Sequence, residues 1–256
     1  MDEKLEAEVY KRTVALQESL RKLEILNQMR TQFVSIMSHE LRTPTTALIG
    51  YADTLREKWE NLPPEKIRKY LDIIAEESHR MVMLMQEIFE ISRIMEGKLQ
   101  ITLEPLDLVP ILSAAVREFR GRYPQCSFGF NENTEPIEAN VDAIYFKSAV
   151  SHVLSNAVKY TPEKGNILIF AAKQGGQAVI RIEDEGPGIA KDFREKVFEP
   201  FARSMDNVNR KTPGAGLGLS IARGVTEAFK GSVRIADKLT GKNGCAVVFT
   251  FPLASP

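Results

Sequence analysis

No stretch of this 256-residue sequence holds the roughly 18–20 apolar residues that a membrane helix needs, and the richest run, Met81-Val82-Met83-Leu84-Met85, is far shorter. The N-terminus, Met1-Asp2-Glu3-Lys4, lacks the apolar core of a secretory leader. Charge of one sign is missing as well: Lys+Arg and Asp+Glu are both 34, so no global basic field points to nucleic acid. Cysteine is scarce. Cys126 and Cys245 show no metal-ligand spacing, and they read as small core residues of a reduced, cytoplasmic protein. Internal repeats and low-complexity tracts are absent too.

What is present falls into two textures. From about Leu5 to Trp59 the pattern is helical, with Val9, Leu16 and Leu23 at heptad spacing. Leu26, Met29, Phe33, Ile36 and Met37 continue the stripe after a slip in spacing, which marks either a joint near Leu23–Met29 or a passive passage from coil to bundle. Asn61-Leu62-Pro63-Pro64 stops this helix. A second helix follows from Glu65 to about Glu96, with Ile67, Ile74, Met81, Ile88 and Met95 seven apart and Gly97 as its stop. One helical hairpin cannot enclose its own apolar stripe, so a homodimeric four-helix bundle is expected. After Pro105 short strands and helices alternate without strict βαβ order, which predicts an α+β sandwich over residues 104–256. The fold expected is thus multi-domain: an all-α helical hairpin followed by an α+β sandwich, with Gly97–Pro105 as hinge.

Four stretches carry chemistry. Ser38-His39-Glu40-Leu41-Arg42-Thr43-Pro44 starts like a zinc-protease helix but offers Thr43 where the second histidine belongs. On the predicted helix Asp142–Tyr160, His152, Asn156 and Lys159 share a face with Tyr160 beside it; a solvated surface and a phosphate-and-base ligand face both fit that pattern. Asp184-Glu185-Gly186-Pro187-Gly188-Ile189 places a carboxylate and glycines at a strand end, as a ligand site or an ordinary turn does. Gly214-Ala215-Gly216-Leu217-Gly218-Leu219 opens a helix whose first N–H groups can hold an anion. It is neither a Rossmann fingerprint nor a Walker loop, since no strand precedes it and Gly-Lys-Ser/Thr is missing. Between the last two stretches, the polar segment Arg203 to Thr212 has no apolar period and reads as a lid.

Taken together and in this order, the stretches resemble the cytoplasmic core of the two-component sensor histidine kinases, whose ATP-binding domain is of the gyrase and heat-shock-chaperone type. "SHELRTP" resembles that family's H box, "LSNAVKYTP" its N box, "DEGPGI" its first glycine box, "FEPF" its F box and "GAGLGLSIA" its second glycine box. The resemblance implies three segments: a coiled-coil signalling helix (1–30), a dimerisation and phosphotransfer hairpin (31–103) and a catalytic ATP-binding domain (104–256). It implies His39 as phosphoacceptor, Glu40 as the group that holds the ring and takes its proton, and Thr43 as the group that positions water. Asn156 is the implied Mg²⁺ ligand, with His152, which stands where a second asparagine is frequent, as a further candidate. Lys159 is implied at the phosphates, Tyr160 at the base and Asp184 at the adenine amino group. Gly186, Gly188, Gly214, Gly216, Leu217 and Gly218 are implied to frame the nucleotide, and Arg203 to approach its γ-phosphate. ATP and Mg²⁺ are the implied cofactors, and the receiver domain of a response regulator is the implied partner, with phosphatase activity toward the phosphorylated regulator. No role for nucleic acid is implied, and any membrane anchor of a sensor lies in sequence upstream. Thr45, Ala202 and Ala215 depart from the family's usual residues.

The residues suit that chemistry. Phosphoryl transfer needs an in-line nucleophile and charge neutralisation more than covalent work from the protein. Histidine titrates at about 6.5 when unperturbed, so a neutral imidazole is at hand. Thr43 lies at i+4 from His39, on the same helix face. Pro44 removes one backbone donor and can bend the helix beside the nucleophile. Two rival readings use the same residues: a dimeric scaffold that binds ATP without kinase activity, and an ATPase without a histidine intermediate. A zinc hydrolase is a third and lacks the second histidine.

Overall fold

The computed structural model describes residues 2–132, 134–202, 214–239 and 244–254; in the first helix, side chains are described at residues 10–14, 16–18, 20–21, 24, 31 and from 33 onward. The chain forms two compact units, Met1–Val82 and Met83–Pro256.

Helix α1 runs over Asp2–Lys58 with Pro44 inside it. A 3₁₀ turn, Trp59–Asn61, and an extended Leu62 end it. Helix α2 covers Pro64–Met95. Pro64 occupies its first helical position, where the missing N–H costs no intrahelical bond. The slip expected near Leu23–Met29 falls on side chains outside the described set. In the first unit the two helices meet side by side: the Tyr51 and Tyr70 rings lie 5.0 Å apart, and the Thr45 hydroxyl stands 3.8 Å from the Met81 sulfur. Thr45, a polar residue at an expected packing position, donates to the Leu41 carbonyl at 2.7 Å, which satisfies its hydroxyl within the helix. The seven-residue seam of α2 is half-buried from Ile67 to Ile88, whereas Met95 is exposed. The fully buried side chains are Leu84 and Ile91, each three residues beyond a seam position on the same face.

Gly97, at φ 63°, stops α2, and the Lys98 N–H closes the cap on the Arg93 carbonyl at 2.9 Å. The hinge expected over Gly97–Pro105 is anchored at its far end. Thr102 N–H donates to Asp142 Oδ2 at 3.1 Å, and strand β1, Glu104–Asp107, pairs antiparallel with β3, Glu138–Val141. The boundary between the two compact units falls inside α2. Glu90 accepts from the Ser148 hydroxyl at 3.0 and 3.1 Å, and Ile94 lies so close to Gly224 that a Cβ there would stand 2.5 Å from its Cγ2.

The second unit is built on a five-stranded sheet of order β2-β4-β5-β7-β6, formed by Ser127–Phe130, Asn166–Gln174, Gln177–Glu183, Ala246–Pro252 and Ser232–Ala236 respectively. β2 and β4 run parallel; the other pairs are antiparallel. Gly175 and Gly176, both at positive φ, make the two-residue turn between β4 and β5. Three helices, α3 (Leu108–Arg122), α4 (Ala143–Tyr160) and α5 (Gly218–Ala228), bury apolar faces. Phe146, Val150 and Leu154 of α4 are buried, as are Ile167, Ile180, Ile182 and Phe249 of the sheet. Phe146 meets Phe251 edge to face at 5.6 Å. Burying each such side chain is worth about 1.5–3 kcal/mol, and that core fixes the pose of α4, whose other face carries the polar residues. Asp142 caps α4 by accepting from the N–H groups of Ile144 (3.0 Å) and Tyr145 (3.3 Å).

Candidate functional site

In the first unit α1 presents His39 to solvent, with a side chain 77% exposed. Its Nδ1 is 3.9 Å from Glu40 Oε1. Glu40, one residue on, turns the other way and is buried. Its Oε2 lies 3.9 Å from Nη2 of Arg80 on α2, and Arg80 Nη1 lies 3.8 Å from Glu77 Oε2. Thr43 donates its hydroxyl to the His39 carbonyl at 3.4 Å, which keeps it on the histidine's face while its oxygen can still accept. Pro44 is buried; having no N–H, it leaves the Glu40 carbonyl without its i+4 donor.

In the second unit Asn156, Lys159 and Tyr160 are half-buried at the end of α4. The Lys159 ammonium lies 5.0 Å from the Tyr160 ring centroid. It also touches the second glycine stretch: a Cβ on Gly214 would stand 2.8 Å from Lys159 Nζ. A Cβ on Gly218 would stand 3.4 Å from His152 Nδ1 and 3.7 Å from Asn156 Nδ2. Gly216, at φ 73°, runs so close to Phe201 and Ala202 that a Cβ would meet their backbone at 3.1 Å, and its carbonyl accepts from Phe201 N–H at 3.0 Å. Leu217 is buried just before α5, and no side chain caps that helix start. Its first N–H groups therefore suit an anion.

Asp184, just past β5, is buried. Its Oδ1 accepts from Gly186 N–H at 2.8 Å and from Cys245 N–H at 3.4 Å. Its Oδ2 accepts from the Cys245 thiol at 3.0 Å. Burial and the adjacent Asp184 push the Cys245 thiol far above its ordinary pKa. Only glycine fits at 186, where a Cβ would press on Asp184 Oδ1 and on the Tyr160 backbone at 2.9 and 3.0 Å. Gly188, at φ 79°, abuts the Gly244 carbonyl at 3.0 Å by the same measure, and a Cβ on Gly244 would collide with the Asp184 carbonyl. Glu185 ties the loop to β4 by accepting from the Asn166 backbone N–H at 2.9 Å. That bond and the Asn166 side-chain amide hold its carboxyl below the usual range.

The structure thus gathers the expected nucleotide residues Asn156, Lys159, Tyr160, Asp184, Gly186, Gly188, Gly214, Gly216, Leu217 and Gly218 in one unit. Arg203 lies outside the described residues. His152 sits between two carboxylates, Nδ1 3.8 Å from Glu87 and Nε2 3.6 Å from Glu90. Two contributors were not legible as such: Arg80, and Cys245, whose thiol touches Asp184 rather than only filling core. Both pairings are long-range in sequence, and only a known register brings them out.

A glycine-lined cradle beside an amide, an ammonium and a buried carboxylate fits a nucleotide with a hard cation. Asn156 supplies a neutral oxygen of the kind Mg²⁺ accepts alongside phosphate. Among the described residues no group of three or more His, Cys, Asp or Glu side chains could hold a metal by itself. A cradle of that kind on a mixed sheet, with a helical hairpin that exposes a histidine, defines a phosphoacceptor protein with its own ATP-binding domain.

Comparison with known proteins agrees. Residues 29–97 match the His Kinase A (phospho-acceptor) domain, and residues 141–255 match the histidine kinase-, DNA gyrase B- and HSP90-like ATPase family. The chain is 32% identical over 233 residues to sensor histidine kinase WalK of Bacillus subtilis (strain 168), covering 90% of this chain and 38% of that relative. It is 32% identical to the sensor-like histidine kinase SenX3 of Mycolicibacterium smegmatis, covering 80% of this chain and 53% of that relative. Among solved structures, the mycobacterial sensor histidine kinase MprB is 30% identical with a TM-score of 0.52, covering 59% of this chain and 98% of that one. Histidine kinase ThkA in complex with response regulator protein TrrA shares the fold at a TM-score of 0.66 and 23% identity, over 91% of this chain and 64% of that one. The chain belongs to the two-component sensor histidine kinases and comprises their catalytic core. It spans about half the length of these sequence relatives, or less. No helix among the described residues is long and apolar enough to cross a membrane.

Proposed function

We propose that this chain transfers the γ-phosphoryl group of ATP to His39 and then to an aspartate of a response-regulator receiver domain, working as a homodimer. The observation that carries the reading is the exposed His39 ring with its Nδ1 turned toward a buried carboxylate, in a chain that also holds the nucleotide cradle. With Nδ1–H facing Glu40, the lone pair on Nε2 is the nucleophile. Nε2 bonds to the γ-phosphorus as the bond to the β–γ bridging oxygen breaks and ADP leaves. The positive charge that grows on the ring is stabilised by Glu40, which can take the Nδ1 proton. In the second half, a receiver carboxylate oxygen bonds to phosphorus, the P–N bond breaks, and the ring leaves neutral once it has a proton again.

Lys159 and the amide-lined glycine stretch hold the phosphates, Asp184 accepts from the adenine amino group, and Tyr160 lines the base. Mg²⁺, when bound, supplies charge neutralisation at the phosphates, with Asn156 as its protein ligand. Arg203 approaches the γ-phosphate, a role taken from its place in the sequence. Thr43 orients the water for dephosphorylating the regulator: its oxygen can accept from water while its own proton stays on the His39 carbonyl. Dimerisation is supported by Val34, Ile49 and Leu71, large apolar side chains of the hairpin that are 48–57% exposed. Localisation is read as cytoplasmic, either as a whole protein or as the cytosolic portion of a membrane-bound sensor.

Incubation with γ-labelled ATP tests the proposal. Acid-labile, base-stable label is expected on His39, and His39→Ala is expected to abolish it while calorimetric ATP affinity stays within about threefold, since that change leaves the cradle untouched. Label retained on the His39→Ala chain refutes the assignment, and nucleotide binding without any label favours the scaffold reading.

A further inference from the structure

We infer that Arg80 is a positioning residue for phosphoryl transfer: from α2 it holds the Glu40 carboxylate against the His39 ring, and it shares that hold with Glu77. The inference rests on His39 being the phosphoacceptor. It goes beyond the H box by bringing in the opposite helix of the hairpin.

Glu40 is 8% exposed, although its neighbour His39 stands in solvent. A carboxylate taken that far out of water needs a cation or hydrogen bonds around it. Arg80 supplies a guanidinium 3.9 Å from Oε2, while Oε1 is the oxygen turned to His39. The two oxygens are thereby given different work, one toward the cation and one toward the ring. A guanidinium is always charged, so at this distance it offsets the charge of the buried carboxylate and draws Oε2 to its side. Arg80 is itself only 28% exposed, and its second nitrogen faces Glu77 Oε2 at 3.8 Å. That Glu77 oxygen is buried and has no hydrogen-bond partner, so it competes for the same cation. His39, Glu40, Arg80 and Glu77 therefore form one chain of alternating groups across α1 and α2. Both gaps at Arg80 are longer than a hydrogen bond, so the guanidinium can shift toward either carboxylate.

This arrangement makes Arg80 act through Glu40, not on ATP. Arg80→Gln is expected to lower the limiting autophosphorylation rate about tenfold while the half-saturating ATP concentration stays put, the signature of an interaction made at the reacting centre. Arg80→Lys, which keeps the charge, recovers part of that loss. Glu77→Gln removes the competitor and is expected to raise the limiting rate; a fall in rate counts against the inference. The deciding measurement is the double-mutant cycle with Glu40→Gln. If Arg80 works through Glu40, Arg80→Gln changes the rate less than twofold in the Glu40→Gln background. The two variants must keep wild-type helical circular dichroism and dimer mass. Should Arg80→Gln lose structure, Arg80→Lys alone carries the cycle.

Equal losses in both backgrounds, or no loss in either, overturn the inference while leaving His39 as phosphoacceptor. A loss confined to the half-saturating ATP concentration overturns it too, since it places Arg80 on the nucleotide. Absence of phosphohistidine in the wild-type chain is a separate result, which removes the functional reading and this inference with it.

Discussion

The sharpest test of the nucleotide site is Asp184→Asn, because the lone pairs of that carboxylate can be counted. An ionised carboxylate offers about four acceptor positions. Gly186 N–H and Cys245 N–H take the two on Oδ1, at 2.8 and 3.4 Å. The Cys245 thiol takes one on Oδ2, at 3.0 Å. One acceptor remains, and in the proposed reading it receives the adenine amino group. In asparagine the carbonyl must stay at Oδ1, where two N–H groups point. The amide nitrogen then replaces Oδ2 and turns a donor toward the incoming amino group. A hydrogen bond to a charged acceptor is worth about 1.5–3 kcal/mol, and an unsatisfied donor adds a similar penalty of about 1–3 kcal/mol. A total of about 2.5–6 kcal/mol weakens ATP binding by about two to four orders of magnitude. Stability should fall by no more than about 1.5 kcal/mol, because both N–H contacts survive. Calorimetric titration of the full chain with ATP, alongside thermal melts, measures both quantities. Inosine triphosphate makes the test two-sided: its base carries an oxygen where adenine carries the amino group, so the variant should prefer it to ATP by about tenfold or more. Unchanged ATP affinity in a folded Asp184→Asn chain, or no gain toward inosine, refutes the reasoning.

Thr43→Ala should spare autophosphorylation within about twofold and slow dephosphorylation of a phosphorylated receiver partner by about tenfold or more, since it removes one water-orienting group; equal dephosphorylation rates sink that role. Both thiols are pushed above the usual cysteine range, Cys126 by burial and Cys245 by burial and Asp184 together. A raised thiol pKa leaves less of the reactive thiolate, so intact-mass analysis at pH 8 should find both unmodified by iodoacetamide in the folded chain and both alkylated in denaturant. Rapid native labelling of Cys245 contradicts its place beside Asp184.

Long periodic elements were legible in the sequence because one stripe repeats over many turns. The seam from Ile67 to Ile88 and the stop at Gly97 follow from spacing and from one left-handed residue. Strand β1 was not legible: it is four residues long, includes Pro105, and owes its existence to β3, more than thirty residues on. The parallel pairing of β2 with β4 hides for the same reason, since Ser127–Phe130 finds its register on Asn166–Ile169 only once α4 has crossed between them. Of the site, the residue types and their order could be read, because glycines and a terminal carboxylate mark their own backbone demands. Partners from distant elements could not. Nothing local to Glu40 names Arg80, and nothing local to Asp184 names Cys245, since each contact depends on packing elsewhere.

His152 shows how packing decides between two chemically sound roles. Its place one turn before Asn156 made it a candidate metal ligand. Mg²⁺, however, prefers oxygen donors and loses its waters reluctantly, so the amide oxygen of Asn156 is the better ligand on that face. The imidazole instead meets Glu87 and Glu90 at 3.8 and 3.6 Å with its side chain 12% exposed. Glu90 is in turn fixed by the Ser148 hydroxyl one turn earlier on α4. Both ring nitrogens thus face carboxylate oxygens of α2. The imidazole therefore links the end of α2 to α4, and in the proposed reading Asn156 is the protein ligand of Mg²⁺.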